Sequence, residues 1–197
     1  MARPSVEAER REQILAATRA VVAEKGFKAM RVADVAKRSG ASSGTVHYYF
    51  ETKHELMRAA FEWNFAKSQE RRVTRLGHSA DPVEQLRELL GTYLPDDEVL
   101  VESWHLWISL WIEAIHDPEL RELNERVYGE WRSGMAAIIR DGQASGHFIE
   151  GDSVMLANAL IGMIDGLAIQ VLIGSQAMTL ERMRDVCDRA VGLISVN

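Results

Sequence analysis

The sequence predicts an all-α protein, and three observations carry that expectation. No segment sustains the period-2 alternation of a half-buried strand, and no Asn-Gly or Asp-Gly pair reads as a hairpin signal between such runs. Helix starts are well marked: Asp81-Pro82 and Asp117-Pro118 each set an acidic N-cap before a proline. Thr52 followed by Glu55 makes a capping box, and Asp152 and Thr179 precede apolar runs as N-caps do.

In chain order, the first helix is expected over 6–25. There Ile14, Leu15, Thr18, Val21 and Val22 form one buried stripe, and Gly26 ends it as a C-cap glycine. A short helix over 32–38 turns Val32, Val35 and Ala36 inward, Gly40 breaks the chain, and a second short helix runs over 43–49. Two short helices about a tight glycine turn make a helix-turn-helix, whose second helix can enter the DNA major groove. Further helices are expected over 53–77, 81–93, 97–116, 118–144, 153–173 and 179–195, about nine in all.

The charge divides the chain. The 197 residues carry a net charge of −6, which taken whole speaks against nucleic acid. Residues 1–60 hold 11 Lys and Arg against 7 Asp and Glu, whereas the rest holds 12 against 22. A basic module of +4 therefore precedes an acidic one of −10, with all five tryptophans in the acidic part. The lone Cys187 excludes an intrachain disulfide and a cysteine-cluster metal site, and fits a reducing compartment. No run approaches the roughly 20 apolar residues of a membrane span, and the start lacks the apolar core of a secretory signal. A cytoplasmic protein without membrane contact is expected.

Val32-Ala33-Asp34-Val35-Ala36, then the run from Ser39 to Phe50, then Lys53 and Leu56, resembles the DNA-binding signature of the tetracycline-repressor (TetR) family over residues 10–58. The resemblance implies an all-helical homodimer. Residues 1–58 would form the DNA-binding domain and 59–197 the ligand-binding and dimerisation domain. It also implies roles. Ser42 caps the recognition helix, Ser43 and Thr45 meet base edges, and Gly44 lets the backbone approach the duplex. His47 and Tyr48 reach bases or phosphates, Tyr49 and Lys53 the phosphate backbone. Two positions depart from the family: Arg31 stands where a capping threonine is common, and His47 where a tyrosine is. Arg31 could contact phosphate, and its helix must be capped from elsewhere. Val46 and Phe50 read as core.

The helix over 97–116 places Trp104, Trp107 and Trp111 on one face and Glu102, His105, Ser109, Glu113 and His116 on the other. Three readings stand. The tryptophans fill a core; or some of them, with Tyr93, Tyr128 or Trp131, line a cavity suited to an organic cation; or Glu102-x-x-His105 and Glu113-x-x-His116 hold metal. The last is disfavoured, because two such motifs on one helix lie about 16 Å apart along its axis and cannot share a dinuclear centre. No metal and no cofactor are expected.

The helix over 153–173 is apolar nearly all round, and the last helix adds Met183, Val186, Cys187, Ala190 and Val191. Leu160, Ile161, Ile164, Val171, Met183, Val186, Cys187 and Ala190 are the expected dimer contacts, with Gly162 and Gly166 allowing close helix approach. Asp165, inside the apolar helix, is either satisfied by a neighbouring helix or a counter-charge for a cationic ligand. The expected ligand residues are thus Trp104, Trp107, Trp111, Tyr128, Trp131 and Asp165. The spacing of the tryptophans, His116-Asp117-Pro118-Glu119-Leu120 and Ile164-Asp165-Gly166-Leu167 are similar to the choline-responsive BetI-type subgroup. That similarity implies a related ligand domain without fixing the ligand.

No Ser–His–acid order, Cys–His pair or phosphate loop stands out, so no catalytic residue is assigned and no enzyme is expected. The leading expectation is a repressor that releases a palindromic double-stranded operator when a small cationic or aromatic effector binds. The alternative is a DNA-binding regulator without an effector, controlled by a protein partner.

Overall fold

The computed structural model describes residues 6–75 and 79–196, and of Arg75 the backbone alone. Among these residues lie nine helices and no extended strand: α1 (Val6–Ala29), α2 (Val32–Ser39), α3 (Ser43–Tyr49), α4 (Lys53–Arg75), α5 (Pro82–Gly91), α6 (Glu98–Ala114), α7 (Pro118–Ala144), α8 (Ser153–Leu172) and α9 (Leu180–Ile194). The all-α expectation holds, element by element. The predicted first helix does end at Gly26, where φ is 75°; one further turn then runs to Ala29. Of the helix predicted over 53–77, residues 76 and 77 lie outside the described residues.

The caps show why the helices start where they do. Asp81, Asp152 and Thr179 accept hydrogen bonds from Val83, Val154 and Arg182 backbone N–H groups. Asp117 Oδ1 accepts from Glu119 and Leu120. At α4, Thr52 Oγ1 accepts from Glu55 N–H at 3.0 Å, but the Glu55 carboxylate reaches back to Glu51 N–H, one residue beyond the N-cap of the expected box. Arg31 caps α2 without a side-chain bond; instead its N–H donates to Asp34 Oδ2 at 3.2 Å. The missing cap is thus replaced from three residues downstream.

The chain divides into two compact units that do not follow chain order. The first comprises Met1–Ser68 and Val101–Asn124, the second Gln69–Leu100 and Glu125–Asn197. The core of the first unit is built from Ile14, Leu15, Val35, Val46, Leu56, Met57, Phe61 and Leu106, all at most 1% exposed. A buried hydrogen bond, Ser103 to Asn64, and an ion pair, Arg19 to Glu102 at 3.0 Å, join α6 to α4 and α1 within that unit.

In the second unit, α8 and α9 pack together and α5 rests on α9. The turn after α7 is buttoned to the end of α9: Ile149 N–H donates to Ile194 C=O, and Val196 N–H to His147 C=O. The Phe148 ring, 2% exposed, sets its Cδ2–Cε2 edge against Gly142 of α7. One expectation is corrected here. Ser153–Leu172 is long and apolar enough, by length and composition, to cross a membrane. Asn158, Asp165 and two glycines break the run by eye, yet a 20-residue helix tolerates them on average. Here α8 packs as a helix of the second unit's core.

Candidate nucleic-acid interface and cation box

The first site is the surface of α3. Ser42 is the N-cap, its Oγ accepting from Thr45 N–H at 3.0 Å and lying 2.8 Å from Thr45 Oγ1. The two hydroxyls stabilise the first turn jointly, so Thr45 is a cap partner as well as a surface group. Val46 and Phe50 are buried and anchor the helix, as the sequence suggested. Turned outward are Ser43, Gly44, His47 and Tyr48, the last 77% exposed. These positions recur at helical spacing and make one face. Tyr48 meets Tyr49 edge to face at 5.2 Å, which fixes the direction of the exposed phenol.

The two expected phosphate-contacting cations are held differently. Arg31 is exposed at the start of α2. Next to it, Lys25 donates to Asp34 at 2.8 Å and holds that carboxyl below its ordinary range. Lys53, expected to reach for phosphate, is folded back. Its Nζ donates to Lys28 C=O at 3.1 Å and lies 4.4 Å from the Phe27 ring centroid. Burial there pushes its pKa down, with Glu113 opposing. His54, the next residue, bonds Asp117 Oδ2 at 2.7 Å and so ties the start of α4 to the cap of α7.

The expected ligand residues separate into two groups. Trp104, Trp107 and Trp111 belong to the first unit. Trp104 and Trp107 are 4% and 3% exposed; Trp104 packs edge-on to Trp111, and Trp107 against Phe61. Tyr128, Trp131 and Asp165 belong to the second unit and do meet. Tyr128 and Trp131 have centroids 5.4 Å apart, and Tyr93 lies edge-to-face with Trp131 at 5.4 Å. The Tyr128 hydroxyl donates to Asp165 Oδ2 at 2.6 Å. Burial pushes Asp165 up to about 6, against the lowering effect of that hydrogen bond. Burial and the adjacent carboxylate push Tyr128 up as well, so its phenol stays a donor.

Three aromatic rings and a desolvated carboxylate thus form one box. Rings offer their negative faces to a cation, and a carboxylate that is costly to ionise gains most from one. A further residue lies in this box and no sequence reading singled it out. Arg72, 7% exposed, sets its guanidinium carbon 5.0 Å from the Tyr93 centroid and 5.1 Å from that of Trp131. In the sequence it sits in the pair Arg71-Arg72, which looks like an ordinary solvated stretch.

The Glu-x-x-His pairs hold no metal-like cluster. Glu102 is engaged by Arg19, and among the described residues no group of three His, Cys, Asp or Glu is placed to bind a metal ion.

The expected dimer contacts divide in a similar way. Leu160, Ile161, Ile164, Met183 and Cys187 are buried within the chain itself, while Val171, Val186 and Ala190 are half-buried. The first five are core residues of the chain itself. Burial also pushes the Cys187 thiol up to about 11, keeping it protonated. The exposed stripe of α8 is Met155, Ala159, Gly162, Gly166 and Ile173, with Leu193 of α9 81% exposed. Both glycines fall on this stripe, and a side chain there would meet nothing within the chain. Hydrophobicity marked the side of these helices that the chain itself covers.

Comparison with known proteins identifies the family of both halves of the chain. Residues 14–60 match the model for bacterial regulatory proteins of the tetR family. Residues 82–195 match that for the BetI-type transcriptional repressor C-terminal domain. The chain is 31% identical over 183 residues to the HTH-type transcriptional regulator BetI of Stenotrophomonas maltophilia, covering 89% of this chain and 88% of that protein. BetI of Serratia proteamaculans is 26% identical, with 80% and 78% covered. Among solved structures, a transcriptional regulator from Saccharomonospora viridis in complex with choline has a TM-score of 0.91 at 32% identity, covering 96% of this chain and 99% of that one. A TetR-family regulator from a Rhodococcus species has a TM-score of 0.83 at 26% identity, with 95% and 99% covered.

Proposed function

Because the chain belongs to the tetR family of bacterial regulatory proteins and carries its BetI-type C-terminal domain, we propose that it is a repressor whose effector is a small organic cation bound between Tyr93, Tyr128, Trp131 and Asp165. The carrying observation is the meeting of three aromatic rings with a half-buried, hydrogen-bonded carboxylate. A quaternary ammonium has no N–H to donate, so ring faces and a counter-charge are what can hold it. The choline held by the similar Saccharomonospora regulator supports choline, or a close quaternary amine, as that cation.

The DNA reader is residues 1–58. Ser43, Gly44, His47 and Tyr48 face the bases and phosphates, Thr45 acts from the capped first turn, and Arg31 and Tyr49 add backbone contacts. Lys53 joins them only by leaving Lys28 and Phe27. The exposed stripes of α8 and α9 pair with a second copy, and the resulting two-fold matches a palindromic operator read in major grooves about 34 Å apart. Such a protein works in the cytoplasm and needs no catalytic centre. DNA and effector each favour one arrangement of the readers, so each lowers the affinity for the other by the same factor.

The test is thermal unfolding of the purified protein with choline and with 3,3-dimethylbutanol, the uncharged carbon analogue of choline. Choline at 100 times its Kd should stabilise by about 2.7 kcal/mol, and the neutral analogue should do little. Equal stabilisation by both would show a merely apolar pocket, and none by either would remove the effector.

A further inference from the structure

The cation that lies against two of the box's rings, Tyr93 and Trp131, comes from the chain itself. An arginine is almost never buried without a carboxylate partner, yet Arg72 is 7% exposed. Among the described residues no carboxylate pairs with it. Its guanidinium donates to the neutral amide of Gln69 at 3.3 Å, within the same helix. What compensates its charge is the pair of rings, Tyr93 and Trp131, set at 81° with the guanidinium at about equal distance from both.

We propose that Arg72 is a built-in occupant of the effector box, and that an organic cation binds by displacing it. This rests on the reading of the box as the effector site. The two cations use the same ring faces, so they cannot occupy the angle between Tyr93 and Trp131 together. Exchange is feasible because Arg72 lies in the last turn of α4, on a long stem. A displaced guanidinium regains the hydration it lacks when buried. The exchange trades one cation for another, so the faces of Tyr93 and Trp131 meet a positive charge before and after. It also sets a threshold. Apparent effector affinity is reduced by the fraction of time for which Arg72 holds the box, and an uncharged amphiphile would have to expel a cation without replacing it.

The experiment compares the full chain with R72Q and R72K by calorimetric titration with choline and with methylguanidinium. Expected is choline binding about tenfold tighter in R72Q than in wild type, near wild-type affinity in R72K, and methylguanidinium binding in R72Q alone. Should R72Q fold poorly, the wild-type protein still decides. On adding choline, the Arg72 Nε–H resonance should lose the upfield shift imposed by the two rings and move toward the value of a free arginine. The proposal is overturned if wild type binds choline while R72Q binds it equally or more weakly, or if the Arg72 resonance stays ring-shifted at saturation. Either result leaves the effector reading intact. If no quaternary amine binds wild type or R72Q, the effector reading itself fails, and the proposal with it.

Discussion

Tyr128 donates its phenolic proton to Asp165 Oδ2 across 2.6 Å, joining α7 to the middle of the apolar α8. The bond satisfies the carboxylate without neutralising it, and burial still pushes Asp165 up to about 6. The folded state therefore binds a proton more readily than the unfolded chain, whose aspartate titrates near 3.8. The linkage runs opposite to that of a paired carboxylate. Stability is highest below the unfolded value and is lost as pH rises from about 4 to 6.

Asp165→Asn should remove that penalty. In urea unfolding the variant should match wild type near pH 4 and exceed it by about 1–2 kcal/mol at pH 7.5, after allowance for partial exposure of the site. It should also bind choline about tenfold more weakly. Wild-type choline affinity should rise with pH through about 6, because the cation favours the ionised carboxylate.

On the DNA side, Arg31→Ala should weaken binding to every sequence and reduce the salt slope by about one. Thr45→Ala should relax sequence preference and also lower stability by up to about 1 kcal/mol, because Thr45 shares the α3 cap with Ser42. Anisotropy titrations of operator and scrambled duplexes at two salt concentrations, with thermal melts beside them, separate the two effects.

Gly142→Ala tests the button at the end of the second unit. An added Cβ would lie 2.1 Å from Phe148 Cδ2, and the ring is locked by the backbone bonds to Ile194 and Val196. The substitution should destabilise by about 1–3 kcal/mol, read as a lower urea midpoint. An unchanged midpoint would mean that Phe148 has room to move.

Leu193→Glu and Ile173→Glu test the dimer face. Both residues are exposed, 81% and 75%. Sedimentation should show a wild-type dimer at micromolar concentration and folded monomers for both variants. Met183→Glu, fully buried within the chain, should instead unfold the protein. A folded, monomeric Met183 variant would restore the contact set read from hydrophobicity alone.

How much of this was legible beforehand follows from what each signal encodes. Helix limits were readable because caps are local: Asp152 and Thr179 act on backbone N–H groups two or three residues away. The recognition helix was readable because its face is set by one cap and two anchors, Val46 and Phe50. The cluster of rings around Asp165 was half readable. Tyr128, Trp131 and Asp165 stood out by type, but Trp104 and Trp107 stood out equally and serve the first unit's core. A sequence pattern shows that a tryptophan is buried but not against what. Arg72 was not legible at all, since a burial forced by distant rings leaves no mark on its neighbours in the chain. The exposed side of α8 was not legible for a related reason: the helix is apolar nearly all round, so periodicity could not say which side its own chain would cover.

A cation that enters the box should release DNA. Labelled duplex from the region upstream of the coding sequence, held by the protein at low salt, should be titrated with choline, for wild type and for Trp131→Ala. Wild-type complex should dissociate as choline saturates, with anisotropy falling to that of free duplex, and the Trp131 variant should need about tenfold more choline. A wild-type complex that keeps its anisotropy while calorimetry shows choline bound would contradict the account.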